Sequence, residues 1–291
     1  MPLATEKQNQ NRQVLTRDQL MAMYNFNGVT VAITGGAGIL GSEFACTLAN
    51  FGANVAILDI NLEPGRALLE RMGKRARQAA LIECNVLKPE SLNKAANEVV
   101  TRFGKVDCLI NAAGGNQPQA TTSPDLKFFD IPAEALRWVF ELNLVGTILA
   151  SQVFGKLMVQ QGYGKILNIA SVNSIRPLTR TPAYAPAKAG ISNFTQWLAV
   201  HMAQEYSPRI RVNAIAPGFF LTNQNRFLVT DRETGEYTPR GKAIVAHTPM
   251  DRFGQPEELL GGVLWLLSEA SSFVTGSVVV IDGGFTAYSG V

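Results

Sequence analysis

Seven short segments of the chain are apolar throughout, and they restrict the possible folds more than any other feature of the sequence. Such continuous runs are typical of strands buried on both faces of a parallel sheet, whereas half-exposed strands alternate with polar residues. Longer segments with helical patterning separate them, at about 40–51, 62–77, 89–103, 133–161, 183–206 and 256–268. The predicted strands are Val29–Thr34, Asn54–Asp59, Ala79–Glu83, Val106–Asn111, Lys165–Ala170, Ile210–Ala214 and Val278–Ile281. The alternation predicts an α/β protein with a doubly wound parallel sheet flanked by helices.

The length of 291 residues suits one large α/β domain. We expect that domain to span residues 26–291, after a polar N-terminal extension of residues 1–25. Residues 219–250, between the last two predicted strands, interrupt the strand–helix rhythm because they are polar and rich in turn-forming residues. A long insertion in a compact domain is usually a lid or a binding loop. We therefore interpret 219–250 as a substrate-binding loop, and a disordered surface loop is the alternative.

Composition and charge argue against several classes of protein. The formal net charge is only +3 and the lysines and arginines are scattered, so nucleic acid is not an expected partner. No uninterrupted apolar run reaches the ~18 residues that span a membrane, and the polar N-terminus does not resemble a secretory signal. With two histidines and three widely spaced cysteines, the sequence predicts neither a metal site nor a disulfide framework. We expect a cytoplasmic protein that binds small molecules.

A glycine-rich turn lies between the first predicted strand and the first long helix. Gly36, Gly38 and Gly41 form a G-x-G-x-x-G pattern, which is weak alone but has the required strand before it and helix after it. Glycines let the backbone approach a pyrophosphate, and a helix N-terminus offers free N–H groups and a positive dipole. The turn predicts a dinucleotide site, with an ordinary glycine turn as the alternative. The predicted contacts are Gly35, Gly36, Gly38, Ile39, Leu40 and Gly41.

Asp59 ends the second predicted strand and indicates which dinucleotide binds. A carboxylate at this position accepts hydrogen bonds from the adenosine ribose hydroxyls and repels the 2′-phosphate of NADP. The sequence therefore favours NAD over NADP, unless Asp59 is merely a solvated strand end. At the end of the fourth predicted strand, small residues leave room for a flat ligand. This segment consists of Asn111, Ala112, Ala113 and Gly114.

Tyr184 and Lys188 lie four residues apart on a predicted helix and therefore share one of its faces. A free tyrosine titrates near pH ~10. A lysine ammonium within several ångströms favours the phenolate by roughly 2–3 pH units. We therefore expect Lys188 to lower the pKa of Tyr184 into the range useful for proton transfer. Such a pair is a weak motif by itself, but Asn143 and Ser171, which follows the fifth predicted strand, accompany it.

These residues together resemble the short-chain dehydrogenase/reductase family, over about residues 26–291. The resemblance implies a single Rossmann-type domain, a seven-stranded parallel sheet and a homotetramer. The matching segments are Thr34–Gly41, Asn111–Gly114, Asn143, Ser171, Tyr184-x-x-x-Lys188, Pro217-Gly218 with Thr222, and Asp282-Gly283-Gly284.

The resemblance also implies a role for each matching residue. Tyr184 would be the general acid/base, and Lys188 would bind the nicotinamide ribose and depress the tyrosine pKa. Ser171 would hold the substrate oxygen, Asn143 would place a relay water, and Thr222 would contact the nicotinamide carboxamide. The adjoining Pro217 and Gly218 are further cofactor candidates.

Two positions depart from the family pattern. Ile39 stands where the family usually has a glycine, so the turn must differ slightly. Asn85 stands where the family usually has an aspartate after the third strand. Asn85 can still bond an adenine amino group, and it and the adjacent Val86 remain the adenine-side candidates.

Within the family, Gly114–Pro118 and the tail Gly284–Val291 resemble the D-mannonate oxidoreductase (fructuronate reductase) branch. That finer resemblance implies a sugar acid, interconverted between D-mannonate and D-fructuronate. The predicted substrate contacts are Ser171, Asn173, Arg176 and Arg180. We expect the arginines to bind the carboxylate, and solvated surface arginines are the alternative.

Three readings of the function remain open. The leading one is a sugar-acid oxidoreductase, and the second changes the substrate to a 3-oxoacyl thioester or a polyol. A binding protein that has lost activity is disfavoured, because the set of catalytic residues is complete. We also expect the tail to expose Phe285, Tyr288 and Val291 in a single chain, and therefore to be buried against a partner subunit.

Overall fold

The computed structural model describes residues 14–221, 229–231 and 234–290 of the chain. At its centre lies a parallel sheet with the strand order β3-β2-β1-β4-β5-β6-β7. The strands are β1 (Thr30–Thr34), β2 (Asn54–Asp59), β3 (Ala79–Glu83), β4 (Cys108–Asn111), β5 (Gly164–Ile169), β6 (Ile210–Pro217) and β7 (Val278–Ile281). The predicted doubly wound sheet of seven parallel strands is therefore confirmed. Its order reverses between β1 and β4, and ligands of such sheets bind outside the carboxyl ends of the strands at this switch point.

Helices cover both faces of the sheet. Those in the described residues are α1 (Arg17–Ala22), α2 (Ile39–Asn50), α3 (Leu62–Met72), α4 (Pro89–Phe103), α5 (Ala133–Phe140), α6 (Gly146–Gln161), α7 (Tyr184–Glu205), α8 (Pro239–Ala246) and α9 (Leu260–Leu267). Side chains of α2, α3 and α9 form one hydrophobic core with the sheet, and those of α4, α6 and α7 form a second on the opposite face. Adjacent β1 residues alternate between the cores, Val31 in the first and Ala32 in the second, which explains why the strands are apolar throughout.

Three of the differences from the predicted elements have identifiable reasons. β6 continues to Pro217 because its pairing with β7 extends to Ile281. The helix predicted over 62–77 ends at Met72, where Gly73 takes a positive φ of 54°, and a 3₁₀ helix continues to Gln78. The helix predicted over 133–161 is continuous, but a π-helical turn at Glu141–Val145 separates α5 from α6.

The run Ala133–Gln161 is long and apolar enough to cross a membrane by length and composition, although it contains no uninterrupted apolar stretch of that length. Its mean hydropathy reaches 1.4 over an 18-residue window, and 44% of that window is buried inside the protein. This run packs on β4, β5, α4 and α7. The core helix of an α/β domain passes the same test, and this is the position that the run occupies.

Candidate active site

The glycine-rich turn joins β1 to α2 at the switch point of the sheet. Gly35 has a positive φ of 62°, and a Cβ atom there would lie 2.7 Å from the backbone of Ala113, so only glycine fits without strain. α2 begins at Ile39 after Gly38, which supplies no side-chain cap. The first-turn N–H groups of α2 and the positive end of its dipole are therefore available to an anion.

Asp59 lies directly against this turn. One carboxylate oxygen accepts a hydrogen bond from the backbone N–H of Ala37 at 3.1 Å, and the other accepts one from Asn61 at 3.0 Å. The side chain is half-buried and still has acceptor capacity for further donors. A narrow glycine cradle with a carboxylate beside it fits the pyrophosphate and adenosine ribose of a dinucleotide.

The predicted adenine-side residues follow β3. Asn85 Oδ1 accepts a hydrogen bond from the N–H of Leu87 at 2.9 Å, and the N–H of Asn85 donates to Ser91 Oγ at 2.9 Å. Val86 is buried and faces Gly146, where a Cβ atom would lie 2.8 Å from the valine side chain. The structure thus holds Asn85 in a fixed turn and places Val86 in the core, and the contact of either with adenine remains a prediction.

The segment after β4 connects the glycine-rich turn to the catalytic residues. Asn111 points into the second core, where its Nδ2 donates to Ser151 Oγ at 3.0 Å and to Asn168 Oδ1 at 2.9 Å. Ala112 and Ala113 continue over the glycine turn. A Cβ atom on Gly114 would lie 2.8 Å from Asn143 Oδ1 and 3.4 Å from Lys188 Nζ. Small side chains here therefore keep the space in front of the catalytic residues open.

Asn143 is fully buried in the π-helical turn. Its Oδ1 accepts from the N–H of Gly115 at 3.1 Å, while its Nδ2 donates to the carbonyl oxygens of Gly115 at 2.7 Å and Val139 at 2.8 Å. The Asn143 carbonyl oxygen accepts from Thr147 Oγ1 at 2.8 Å. The side chain is thus committed to the loop after β4, so a relay water, which remains a prediction, would use the main-chain carbonyl instead.

Ser171, Tyr184 and Lys188 converge at the carboxyl end of β5. Ser171 lies two residues after this strand, and Tyr184 is the first residue of α7. Lys188 Nζ donates to the carbonyl oxygen of Ile169 at 2.8 Å and lies 5.6 Å from the centroid of the Tyr184 ring. The hydrogen bond to β5 therefore fixes the ammonium between the strand end and the tyrosine.

Burial dominates the protonation of both side chains. Burial raises the pKa of Tyr184 to about 12, and a hydrogen bond with Ser171 opposes that rise. Burial lowers the pKa of Lys188 to about 8. The expected lowering of the Tyr184 pKa by Lys188 is not seen in the polypeptide by itself, where Lys188 Nζ bonds to Ile169 and burial is the largest influence on the tyrosine. At neutral pH the phenol is protonated and is poised to donate a proton.

The loop after Ser171 carries the predicted substrate contacts. Asn173 is buried: its backbone N–H and Nδ2 donate to Ser171 Oγ at 3.2 and 3.5 Å, and its Oδ1 accepts from the N–H of Leu178 at 3.2 Å. Its amide thus supports Ser171 and the loop. Arg176 and Arg180 are exposed. Arg180 has a positive φ of 72°, and its carbonyl oxygen accepts from the N–H of Thr122 at 2.9 Å.

The last candidates lie at the ends of β6 and β7. Pro217 ends β6, and the N–H of Gly218 donates to the carbonyl oxygen of Ile281 at 2.9 Å. A Cβ atom on Gly218 would lie 2.7 Å from Asp282, so glycine permits the two strand ends to meet. Thr222 lies outside the described residues, as do Asn223–Arg226 of the predicted substrate-binding loop.

The C-terminal tail departs from expectation. Phe285 is buried within its own chain, because its ring packs on Phe219 with centroids 5.1 Å apart and on His247 at 4.8 Å. The expectation that Phe285 needs a partner subunit is therefore wrong. The Tyr288 ring lies 5.2 Å from that of His247, and Arg176 Nη1 donates to the Tyr288 carbonyl oxygen at 3.1 Å. Sequence reasoning missed this cluster, although aromatic residues after Asp282-Gly283-Gly284 were a signal for it.

The arrangement as a whole suits hydride transfer to or from a carbon that bears oxygen. A protonated phenol and a serine hydroxyl meet beside a lysine, at the same sheet edge as the dinucleotide cradle. Proton donation to a carbonyl oxygen here accompanies hydride addition to its carbon, and the reverse steps oxidise an alcohol.

Sequence comparisons agree with this chemistry. The family model described as Enoyl-(Acyl carrier protein) reductase matches residues 35–286. The uncharacterized oxidoreductase UxuB of Bacillus subtilis (strain 168) is 46% identical over 276 residues, which cover 92% of this chain and 98% of that protein. These matches include both the cofactor cradle and the catalytic residues.

Two solved structures extend the comparison. A protein from Haemophilus influenza, assigned provisionally as a D-mannonate oxidoreductase and solved with bound NAD, is 44% identical with a TM-score of 0.84, and the match covers 93% of this chain and all 100% of that one. A gluconate 5-dehydrogenase from Burkholderia cenocepacia J2315, in complex with NADP and tartrate, is 30% identical with a TM-score of 0.79, over 92% and 99% of the two chains. Because the similarity in sequence and fold spans nearly the whole chain, this protein belongs to the short-chain dehydrogenase/reductase family and is an oxidoreductase of alcohol and ketone groups.

Proposed function

We propose that the protein is an NAD(H)-dependent oxidoreductase that interconverts a secondary alcohol and a ketone on a sugar acid, with D-mannonate and D-fructuronate as the leading pair. One observation carries the proposal: Ser171, Tyr184 and Lys188 meet at a sheet edge whose exposed rim holds Arg176 and Arg180. The buried Ser171 and Lys188 and the half-buried Tyr184 provide proton transfer, and the exposed guanidinium groups provide two candidate sites for a carboxylate.

The chemistry follows from where each group lies. Bound NAD(H) would lie along Gly35–Gly41 and Asp59 and supply or accept the hydride. During ketone reduction Tyr184 donates its phenolic proton to the substrate oxygen, which the Ser171 hydroxyl orients by a hydrogen bond. During alcohol oxidation the proton returns to Tyr184. Lys188 Nζ, held by Ile169, presents positive charge toward the phenol and the nicotinamide ribose.

The choice of NAD over NADP rests on Asp59. Its carboxylate is fixed beside the glycine turn by the N–H of Ala37, where a 2′-phosphate would meet a negative charge. The relatives include both an NAD complex and an NADP complex, so similarity alone does not decide the cofactor. Comparing the catalytic efficiency with NAD(H) and NADP(H) on one substrate tests the choice, and a higher value with NADP(H) would overturn it.

Two similarities support a sugar acid. One solved relative is assigned provisionally to D-mannonate, and another holds tartrate, a hydroxylated dicarboxylate. In this chain the loop after Ser171 carries two exposed arginines, Arg176 and Arg180. A polyol would need no arginine, whereas a carboxylate gains a charge-assisted hydrogen bond from one.

A 3-oxoacyl thioester and a polyol remain the alternative substrates. The matching family model is described as an Enoyl-(Acyl carrier protein) reductase, and this description is a reason to test the thioester. A spectrophotometric screen separates them: sugar acids, polyols and oxoacyl thioesters are each assayed with NAD(H) and NADP(H). Turnover of thioesters or polyols without turnover of any sugar acid would overturn the proposed substrate class but not the enzyme class.

We further propose a homotetramer whose subunits meet through α5–α6 and α7. A stacked row of rings follows α7, with Phe194, Trp197 and His201 leading to Tyr206. Trp197 is 56% exposed, and beside it lies a surface cavity of about 560 Å³. Large exposed apolar patches of this kind usually mark protein contacts. Light scattering that gives a strict monomer at micromolar concentration would exclude this assembly.

The remaining proposals concern organisation. We place the catalytic domain at residues 26–291 after an extension of residues 1–25, assign residues 219–250 to substrate binding, and place the enzyme in the cytoplasm. Deleting residues 1–25 tests the first point. Unchanged kinetic constants and an unchanged melting temperature would support an extension that takes no part in catalysis, and loss of either would move the domain boundary.

A further inference from the structure

Three segments far apart in the sequence meet beyond the carboxyl ends of β5, β6 and β7. They are the loop after Ser171, the end of α8, and the C-terminal tail from Asp282 to Gly290. Because neighbouring parallel strands end at the same sheet edge, the tail lies within reach of the proposed substrate pocket. Arg176 belongs to the first segment and Tyr288 to the last.

The tail is a built element of the fold. The Asp282 carboxylate accepts hydrogen bonds from the N–H of Gly284 at 2.9 Å, from the N–H of Thr286 at 2.8 Å and from the Thr286 hydroxyl at 2.7 Å. The N–H of Tyr288 in turn donates to the Gly284 carbonyl oxygen at 3.1 Å. Two consecutive glycines with positive φ, 64° and 89°, make the turn that this carboxylate caps. These bonds hold the backbone around the Tyr288 carbonyl, and the Tyr288 ring adds a contact with His247.

Arg176 is the residue that this carbonyl engages. Its Nη1 donates to the Tyr288 oxygen at 3.1 Å, and the guanidinium is otherwise exposed. A guanidinium has several N–H donors in one rigid plane, so a single fixed contact determines the direction of the others. A long, solvated side chain without such a contact would lose rotamer freedom when it binds a ligand, and this loss would weaken the binding.

We propose that the C-terminal tail is a positioning element for substrate recognition: the Tyr288 carbonyl orients Arg176 so that its remaining donors receive the substrate carboxylate. The proposal rests on the proposed sugar-acid function and goes beyond it, because it selects Arg176 over Arg180 and assigns the tail a role. Arg180 differs in that its backbone carbonyl, rather than its guanidinium, bonds to a neighbouring loop at Thr122.

The proposal is tested with matched charged and neutral substrates, D-mannonate and D-mannonamide, which share their hydroxyl groups. Deleting Tyr288–Val291 removes the carbonyl, Arg176→Gln removes the guanidinium, and Tyr288→Ala removes only the ring. We expect the deletion and Arg176→Gln each to raise KM for D-mannonate about tenfold, with KM for D-mannonamide and Kd for NAD changed less than about twofold. Tyr288→Ala should change KM for the acid far less than the deletion does.

Combining the tail deletion with Arg176→Gln shows whether the tail acts by positioning Arg176 or by contacting the substrate directly. If the tail acts through Arg176, the deletion adds nothing to Arg176→Gln. Arg176→Lys, which keeps the charge without the planar donors, should recover only part of the affinity for the acid. Arg209→Gln, which removes an exposed arginine at the opposite edge of the sheet, is the control. Additive losses in the combined variant, equal losses on D-mannonamide, or a Tyr288→Ala variant as impaired as the deletion would each overturn the proposal.

Hydrogen exchange of the tail amides gives a readout that does not depend on turnover. We expect Arg176→Gln, but not Arg209→Gln, to accelerate exchange at residues 288–290, next to the carbonyl that Arg176 contacts, and to leave exchange at residues 284–286, which Asp282 holds, unchanged. If exchange accelerates while no sugar acid is turned over, the proposed substrate class fails and the link between Arg176 and the tail stands. If exchange is unchanged, the inference fails whatever the substrate.

Discussion

Asn143 and Gly115 hold each other through two reciprocal hydrogen bonds, with the amide of one side chain paired to both backbone groups of the glycine. The pair joins the π-helical turn of one long helix to the loop after β4, and both partners lie beside Gly114 and Lys188. The spacing of the catalytic centre therefore depends on a side chain that is itself buried inside the protein.

We predict that Asn143→Ala destabilises the enzyme as well as inactivating it. The substitution leaves the half-buried N–H and carbonyl of Gly115 without their partner, and each such group costs up to about 1–3 kcal/mol where water cannot replace the lost bond. Denaturant unfolding should show a loss of about 2–4 kcal/mol in the free energy of unfolding. Asn97→Ala, at an exposed position on α4, is the control and should change stability by less than about 0.5 kcal/mol. A fully stable Asn143→Ala variant would show that the pairing is dispensable.

Tyr184→Phe should reduce kcat by roughly 10²–10⁴-fold while the Kd for the cofactor stays nearly constant. Only the proton-donating hydroxyl is removed, and the ring keeps its place at the start of α7. Steady-state kinetics and fluorescence titration of NADH measure the two quantities. Tyr24→Phe, outside the site, should behave as the wild type. Retention of more than about a tenth of the activity by Tyr184→Phe would exclude a general acid/base role.

Lys188→Met should stabilise the folded protein while abolishing activity. Burial lowers the pKa of Lys188 from 10.5 to about 8, a difference that corresponds to roughly 3 kcal/mol of destabilisation of the charged form. Methionine avoids that penalty but loses the hydrogen bond to Ile169, so we expect a net gain of about 1–3 kcal/mol at pH 7.

The same pKa difference determines how the stability gained by Lys188→Met changes with pH. Because the folded-state pKa is the lower one, the unfolded chain holds more protons between pH 8 and 10.5, and the stability of the wild type rises with pH across that window. The advantage of Lys188→Met should therefore be fully present below pH 8 and shrink above it. Unfolding measured at pH 7 and pH 10 checks this, with the exposed Lys94→Met as control. An advantage that grew with pH would contradict the assigned direction.

Asp59→Ala should weaken the preference for NAD(H) over NADP(H) by about tenfold or more. The carboxylate no longer accepts from ribose hydroxyls or repels a 2′-phosphate. Because the Ala37 contact is also lost, the efficiency with NAD(H) should itself fall. Kinetic constants with both cofactors provide the measurement, and Glu98→Ala, an exposed charge on α4, is the control. An unchanged preference would place the ribose elsewhere.

Much of the fold could be predicted because parallel strands buried on both faces leave continuous apolar runs, as in Thr30–Thr34 and Asn54–Asp59. Such strands also end at one edge, so the meeting of Ser171, Tyr184 and Lys188 followed from their places after β5 and on α7. The seven strands followed from the apolar runs, and the family resemblance supplied the roles of these residues.

Other features depend on packing that no local pattern encodes. Arg176 and Tyr288 are 112 residues apart in the sequence, and only the ends of β5 and β7 bring them together. The pKa of Tyr184 depends on how deeply the phenol is buried, which spacing along a helix does not report. Phe285 looked exposed in an apolar tail because the partners that cover it, Phe219 and His247, come from another segment.

The exposed Arg176 and Arg180 tolerate substitution differently from the buried Asn143. Asn143 is fully enclosed, so nearly any exchange there damages the scaffold, whereas exposed surface positions such as Arg176 and Arg180 usually tolerate substitution within about 0.5 kcal/mol of folding free energy. A descendant of this enzyme can therefore acquire a new substrate through changes at the rim alone. The hydride chemistry would be inherited intact, since nothing that performs it lies on the surface that varies.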